Sequence, residues 1–392
     1  MHIKQIQLKN IRTFENASME FSKGIHLITG SNASGKTNLL ESILYLATTK
    51  SIQHRNDKNI ISQEALSNSV LPIAKISAVI ESEQHNHDID MMFSKPIKES
   101  IANDNQGTGR LTKNFRLNGV TKKASDVIGT LRAVYASPND MEIILGSPSE
   151  RRKYLDILIS QFDKDYLKNL QRYNRIIKQR NSLLKQIKNI KKRHGELDYW
   201  DDQIAATAIE IINKRKSIIN QLSTLAKKHY ELLDKNNDQL AINYYPSMPK
   251  NNNSLPTKDI EQKKFLQFLQ EVRSKDLQQS NTTIGPHRDD ILIYLNALPS
   301  NAFSSRGQQK LITICMRLAE AQISHQITNE QPVLLLDDIL SEFDEEHRNY
   351  IVENTEYVEQ VFLTTPDLAN VPKAMINKAV QLQINEGEIK KL

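Results

Sequence analysis

The spacing of apolar and polar positions changes twice along the chain, and the changes mark its organisation. In the first 50 residues, Ile3–Leu8 and Ile25–Thr29 are short apolar-rich runs of strand character, and Leu39–Leu46 continues as a helix with one apolar face. Ile73–Ile80 and Ile89–Phe93 read as a further pair of strands, and the polar, glycine-bearing Asn103–Gly109 as a loop. From Ser149 to about Leu233 the period lengthens to that of a helix. Apolar residues fall at Tyr173, Ile176, Ile177, Leu183, Leu184, Ile187 and Ile190, Gly195 marks a turn, and a second long helix runs from about Trp200 to Leu233. This outlines an antiparallel helical hairpin. Pro246–Pro256, with Asn251, Asn252, Asn253 and Ser254, has linker composition. After about Thr283 the α/β pattern returns: Val333–Leu336, behind Pro332, reads as a buried strand and Val361–Leu363 as its neighbour. The expectation is an α/β head split in sequence, residues 1–145 and 281–392, with an α-helical lobe inserted over residues 146–280.

The chemistry begins at Gly30-Ser31-Asn32-Ala33-Ser34-Gly35-Lys36-Thr37, which fits G-x-x-x-x-G-K-[ST]. Glycines let such a loop curl so that its N–H groups face phosphates, and the following helix points its positive end at the same place. Lys36 would reach the β- and γ-phosphates, the Thr37 hydroxyl would bind Mg²⁺, and Asn38 opens the helix beside them. The motif lies between an expected strand and an expected helix, the context it requires. A second motif, Val333-Leu334-Leu335-Leu336-Asp337-Asp338, is an apolar strand ending in two carboxylates. Asp337 stands where a Walker-B aspartate holds Mg²⁺, directly or through water, and Asp338 where a base orients the attacking water. A buried strand with a charged end would look the same; the P-loop decides for the functional reading.

The two motifs lie about 300 residues apart, a spacing that points to an ABC-ATPase-like head with an inserted lobe. Ser304-Ser305-Arg306-Gly307-Gln308-Gln309-Lys310, ahead of the helical-looking Leu311–Ala321, resembles the ABC signature, with Ser305, Gly307 and Gln308 as candidates to face a γ-phosphate. A serine capping an ordinary helix gives the same local sequence. Ser341-Glu342-Phe343-Asp344 resembles the D-loop that lines a dimer seam.

Taken in order, Lys9–Phe14, the P-loop, Ser137-Pro138-Asn139-Asp140, Gly146-Ser147-Pro148 with Arg151-Arg152 and Leu155-Asp156, Gly285-Pro286-His287-Arg288-Asp289-Asp290, the serine-rich signature and Leu335–Asp344 resemble the RecF family over nearly the whole chain, least so in the helical lobe. The resemblance implies an ATP-dependent homodimer that binds double- and single-stranded DNA, including gaps or junctions. It further implies work with RecR and RecO in helping RecA load, and slow ATP turnover as a switch. Arg12 becomes a candidate phosphate contact, as an N-terminal arginine is in related heads. Ala33 stands where the family often has glycine, and Arg306 where it often has glutamine. Thr364 and Thr365 fall where transporter ATPases place a switch histidine; Asn139 or Asp140 is the nearest candidate for a Q-loop residue. The main alternative is the ATPase subunit of an ABC transporter, which shares the P-loop, signature and Walker B but gives no account of the basic helical insert. A chromosome-organising head is a further alternative, against which the short hairpin and the absence of sustained heptads argue.

Composition narrows the setting. Hydrophobic residues make up 39% and charged residues 25%, as in ordinary soluble proteins, and no apolar run is long enough to span a membrane. With a single cysteine, Cys315, and no secretory pattern at the start, the chain is expected in a reducing cytoplasm. The net charge of +6 favours a polyanionic partner only weakly. Its placement says more: Arg172–Arg193 holds nine Lys or Arg and no Asp or Glu. Like charges on one helix repel, and a phosphate backbone would relieve that repulsion. Arg180, Lys185, Lys188, Lys191 and Lys192 are therefore the candidate DNA contacts outside the head.

Overall fold

The structure is a computed structural model. It describes every residue except 52–56, 84, 96–110, 189, 235, 249–257 and 356–357, together with the side chains of residues 58, 191, 192 and 258–260. The expected loop at Asn103–Gly109 and most of the expected linker fall outside the described residues. No helix among the described residues is long and apolar enough to cross a membrane.

The chain divides into two compact units, one of Met1–Asp140 with Arg317–Leu392, the other of Met141–Met316. In the first, an antiparallel sheet runs in the spatial order Phe14–Glu20, His2–Ile11, Ile73–Glu81, Asn86–Ser94, Thr112–Leu117 and Val120–Lys122. Alternate residues of Ile73–Glu81 are buried, the period-2 pattern of a sheet with one face on a core. The second sheet runs Glu388–Lys391, Val380–Asn385, Gly24–Thr29, Gln360–Thr364, Val333–Asp337 and Ala133–Ala136, parallel except for the terminal hairpin. Val333–Asp337 is buried along its whole length, as a central parallel strand must be. Leu334 pairs with Val361, so the two strands expected to be neighbours are neighbours. The helix Lys36–Thr48 lies on strands of both sheets. Its Leu39, Leu40 and Ile43 share one core cluster with Ile6, Leu8 and Phe14 of the first sheet and Leu335 and Phe362 of the second.

The second unit is built on the helices Pro148–Ser160, Lys164–Ile187 and Leu197–Leu233, the last two forming the expected hairpin around the 3-10 turn Lys191–Glu196. Its small sheet pairs Asp290–Leu295 with Leu240–Tyr245 and Leu298–Pro299, and Leu240–Tyr245 packs on Leu197–Leu233. This pairing ties residues 281–316 to the helical unit. The expected boundary at 280 therefore moves to Met316, inside the helix Arg306–Thr328 that follows the signature.

The Gly285–Asp290 run is a structural knot of this unit. The Tyr173 hydroxyl meets His287 Nδ1 at 2.6 Å, and His287 Nε2 donates to the Thr282 carbonyl at 3.0 Å. Arg151 forks onto both oxygens of Asp290 at 2.8 and 2.9 Å, and Arg215 donates to the Pro286 carbonyl at 2.7 Å. Asp289 accepts from Tyr244 and from the Ser247 backbone N–H. Burial pushes His287 down to about 4, so the ring is neutral at physiological pH.

Candidate nucleotide site

The P-loop leaves the strand Gly24–Thr29 and enters the helix at Lys36, as expected. Two glycines are required by shape. Gly30 has φ 152° and a Cβ there would meet the Ile384 carbonyl at 2.4 Å; Gly35 has φ 115° and its Cβ would meet Thr13 Oγ1 at 2.8 Å. Ala33 takes φ 67° without being glycine, which is why a glycine is at home in that position. Lys36 Nζ donates to the carbonyls of Gly30 and Ser31 at 2.7 and 2.9 Å, so the amine is folded over its own loop. Burial holds its pKa below the ordinary lysine value, against the pull of Asp338 and Asp337. Asn38 Nδ2 donates to Thr13 Oγ1 at 3.1 Å.

Thr37 and Asp337, distant in sequence, meet here: Thr37 Oγ1 donates to Asp337 Oδ1 at 3.0 Å. Asp338 follows with φ 51°, a left-handed conformation held by its N–H, which reaches Thr364 Oγ1 at 3.0 Å and the Thr364 carbonyl at 3.2 Å. Burial raises the Asp338 pKa, the Ser341 contact opposes this, and the neighbouring Asp337 charge adds to it. Among the described residues of the P-loop and the Asp337–Asp338 pair, the buried oxygens Asp338 Oδ1 and Ser34 Oγ have no hydrogen-bond partner. Buried polar atoms are ordinarily satisfied. Such atoms beside a glycine-curled loop, a lysine, a hydroxyl and two carboxylates fit a bound Mg·nucleotide with an ordered water.

Arg12 lies against the same helix, paired with Glu41 at 2.7 Å, its backbone also left-handed at φ 49°. In the other unit, Ser305 and Gln308 form a reciprocal cap on the signature helix. Ser305 Oγ accepts from the Gln308 N–H at 3.2 Å and Gln308 Oε1 from the Ser305 N–H at 2.8 Å. Ser305, Arg306 and Gly307 are exposed. The capping description and the signature description therefore fit the same residues. Asp344 caps the helix Glu345–Glu353 through the His347 N–H at 3.0 Å.

One of the five candidate DNA contacts is corrected. Arg180 is fully buried: Nε donates to Asp201 at 2.7 Å and Nη1 to Asp276 at 2.6 Å and Thr282 at 2.9 Å. It is a core ion cluster, closed off from any DNA. The charges around it in sequence do not reveal its partners, because the two carboxylates come from 21 and 96 residues away. Lys185 and Lys188 are exposed, as are Arg172, Arg175 and Lys178. The run of basic residues is not one helix; the helix ends at Ile187, and Lys191 and Lys192 sit in the 3-10 turn with side chains outside the described residues. Of the Q-loop candidates, Asn139 is exposed and Asp140 is gripped by Arg317 through two bonds of 2.9 Å. Tyr135, which donates to Asp337 Oδ2 at 2.9 Å, was missed, since an aromatic residue in an apolar strand reads as core.

The profile of the RecF/RecN/SMC N-terminal domain matches residues 2–391. The chain is 31% identical to the DNA replication and repair protein RecF of Herpetosiphon aurantiacus over 99% of both chains. It is 32% identical to that of Enterococcus faecalis over 100% of this chain and 99% of the relative. Among solved structures, the recombination mediator protein RecF with ATP, of the RecFOR pathway, superposes with a TM-score of 0.85 at 30% identity, covering 100% of this chain and 99% of that one. The Pyrococcus furiosus Smc head domain, at 16% identity and a TM-score of 0.51, covers 100% of this chain and 96% of its own and shares the fold alone. A P-loop, a Walker-B pair and a signature-like capped helix on a chain matched from end to end lead to one conclusion: it belongs to the RecF family of DNA replication and repair proteins.

Proposed function

We propose that this chain is an ATP-dependent DNA-binding protein of recombinational repair and replication, and a slow ATPase whose turnover acts as a switch. The observation that carries the reading is the single site formed by Lys36, Thr37, Asp337 and Asp338, with a buried, unpartnered oxygen on Asp338. Bound Mg²⁺ would supply charge to offset the phosphates of ATP. Lys36 and the loop N–H groups would hold those phosphates, Thr37 with Asp337 would hold the ion, and Asp338 Oδ1 would accept from a water. Arg12 would contribute at this site while sharing its charge with Glu41.

The remaining parts of the reading come from the family. Two chains would close as a homodimer with each ATP between the P-loop of one protomer and Ser305, Gly307 and Gln308 of the other. The closed dimer would bind double- or single-stranded DNA at gaps or junctions and, with RecO and RecR, help RecA load. The exposure of Ser305 supports the trans arrangement. A transporter motor is not favoured, because the likeness is to RecF over the full length of the chain.

The test is a mixing experiment. Lys36→Ala and Ser305→Arg proteins should each be inactive. Their heterodimer carries one site with both defects and one with neither, so random mixing of independent sites should recover roughly a quarter of the unmodified hydrolysis. Sedimentation of Ser305→Arg with ATP is the companion measurement. A dimer as tight as the unmodified one, with no recovery on mixing, removes the trans site; normal ATP affinity in folded Lys36→Ala removes the nucleotide site itself.

A further inference from the structure

Two hydroxyls besides that of Thr37 close on the Asp337 carboxylate. Asp337 Oδ1 accepts from Thr364 Oγ1 at 2.7 Å as well as from Thr37, and Oδ2 accepts from the Tyr135 hydroxyl at 2.9 Å. Tyr135 and Thr364 come from the strands on either side of Val333–Asp337, where Leu336 pairs with Ala136 and Asp337 with Thr364. All three side chains are nearly inaccessible: Tyr135 is 4% exposed, Asp337 6% and Thr364 1%. An ionised carboxylate has about four lone-pair sites. Three are occupied by hydroxyl donors, from Thr37, Thr364 and Tyr135, and together they fix the plane of the group.

Thr364 has a second task. Its hydroxyl has one proton, given to Asp337, and lone pairs, one of which takes the Asp338 N–H at 3.0 Å. One oxygen thus connects the side chain of Asp337 to the backbone of Asp338. Asp338 sits at φ 51°, a conformation that a non-glycine residue holds only where the surroundings fix it. That conformation leaves Oδ1 buried and unpartnered.

We propose that Tyr135 and Thr364 are positioning residues of the nucleotide site: Tyr135 fixes the Asp337 carboxylate for the metal ion, and Thr364 locks Asp337 and Asp338 to one another. The proposal rests on the ATPase reading. Outer-shell partners of a metal-holding carboxylate typically change metal affinity or activity by about 10–100-fold when removed, whereas a hydroxyl that only aids packing changes stability alone.

The experiment uses the full chain with Tyr135→Phe, Thr364→Val and Thr364→Ser. The readouts are the Mg²⁺ midpoint for binding a fluorescent, non-hydrolysed ATP analogue, the kcat and KM for ATP, and the melting temperature. Tyr135→Phe should raise the Mg²⁺ midpoint about 10-fold or more. Thr364→Val should lower kcat by about 10–100-fold with a smaller change in KM, and Thr364→Ser, which keeps the hydroxyl, should restore most of it. Unmodified midpoints and kcat in both Tyr135→Phe and Thr364→Val, with only melting temperatures lowered, would overturn the proposal while leaving the ATPase reading intact. Should Thr364→Val not fold, the Mg²⁺ midpoint of Tyr135→Phe decides alone. An unmodified protein that binds the analogue without any dependence on Mg²⁺ would overturn the ATPase reading and this proposal with it.

Discussion

Replacing Arg180 separates a structural cation from a DNA-binding one. Its guanidinium bridges Asp201 and Asp276, and all three side chains are 0% exposed. Asp276 has further donors in the Thr283 N–H at 2.9 Å and hydroxyl at 2.6 Å, and Asp201 has Arg273 at 2.6 Å. Arg180→Met would therefore leave two buried carboxylates with partial compensation. Breaking a buried pair by removing one partner costs about 3–5 kcal/mol. For a unit of this size each kcal/mol moves Tm by about 2–4 °C, so the loss should be about 6–20 °C. Arg180→Lys should recover only part, because a point charge cannot fork onto two carboxylates. Calorimetry gives the stability, and DNA binding across a salt series, read below the lowered Tm, gives the number of phosphate contacts. The slope should not change. An Arg180→Met protein with unmodified Tm and a salt slope reduced by about one unit would refute the reasoning, because that is the behaviour of a surface cation facing a phosphate.

Three other outcomes follow from named contacts. Asp338→Asn keeps Asp337 but removes the charge beside the unpartnered oxygen, so single-turnover hydrolysis should fall by about 10²–10⁴-fold while ATP binding survives; an unmodified rate would exclude Asp338 as the water-orienting group. Lys178, Lys185 and Lys188 are exposed, and changing all three to Gln should lower the log–log salt slope of DNA binding by roughly 3 units; an unchanged slope would make that helix face merely solvated. His287 is held near 4 against an ordinary 6.5. Its neutral form is favoured by folding, so this stability is complete above pH 6.5 and is lost as pH falls from 6.5 towards 4, by about 3 kcal/mol at most. Urea unfolding across that window should show the loss, and His287→Gln should flatten it; identical pH profiles for the two proteins would contradict the assignment.

How much of this was legible in the sequence depends on how far apart the interacting residues lie. The P-loop needs residues that are contiguous, and the loop, strand and helix at Gly24–Thr48 are where the pattern places them. Val333–Asp337 was legible because a strand buried on both faces must be apolar throughout. Phe14–Glu20 was not, since it is a largely exposed edge strand, Phe-Glu-Asn-Ala-Ser-Met-Glu, with only two buried positions. The signature serine was legible as a residue but ambiguous as a role, because the reciprocal cap with Gln308 and an exposed hydroxyl at a helix start occur together. Charge density was the least reliable guide. It grouped Arg180 with Lys185 and Lys188, which differ completely in exposure, because one arginine in the run faces inward on the same helical arc as Tyr173, Ile176, Ile177 and Leu184. The apolar periodicity that located the helix already contained that information. Positions 173, 176, 177, 180, 184 and 187 continue a single 3–4 stripe, and a cation lying on the stripe needs buried anions from elsewhere in the fold, which Asp201 and Asp276 supply. A basic residue is a candidate for phosphate only after it has been placed off the apolar face of its own helix.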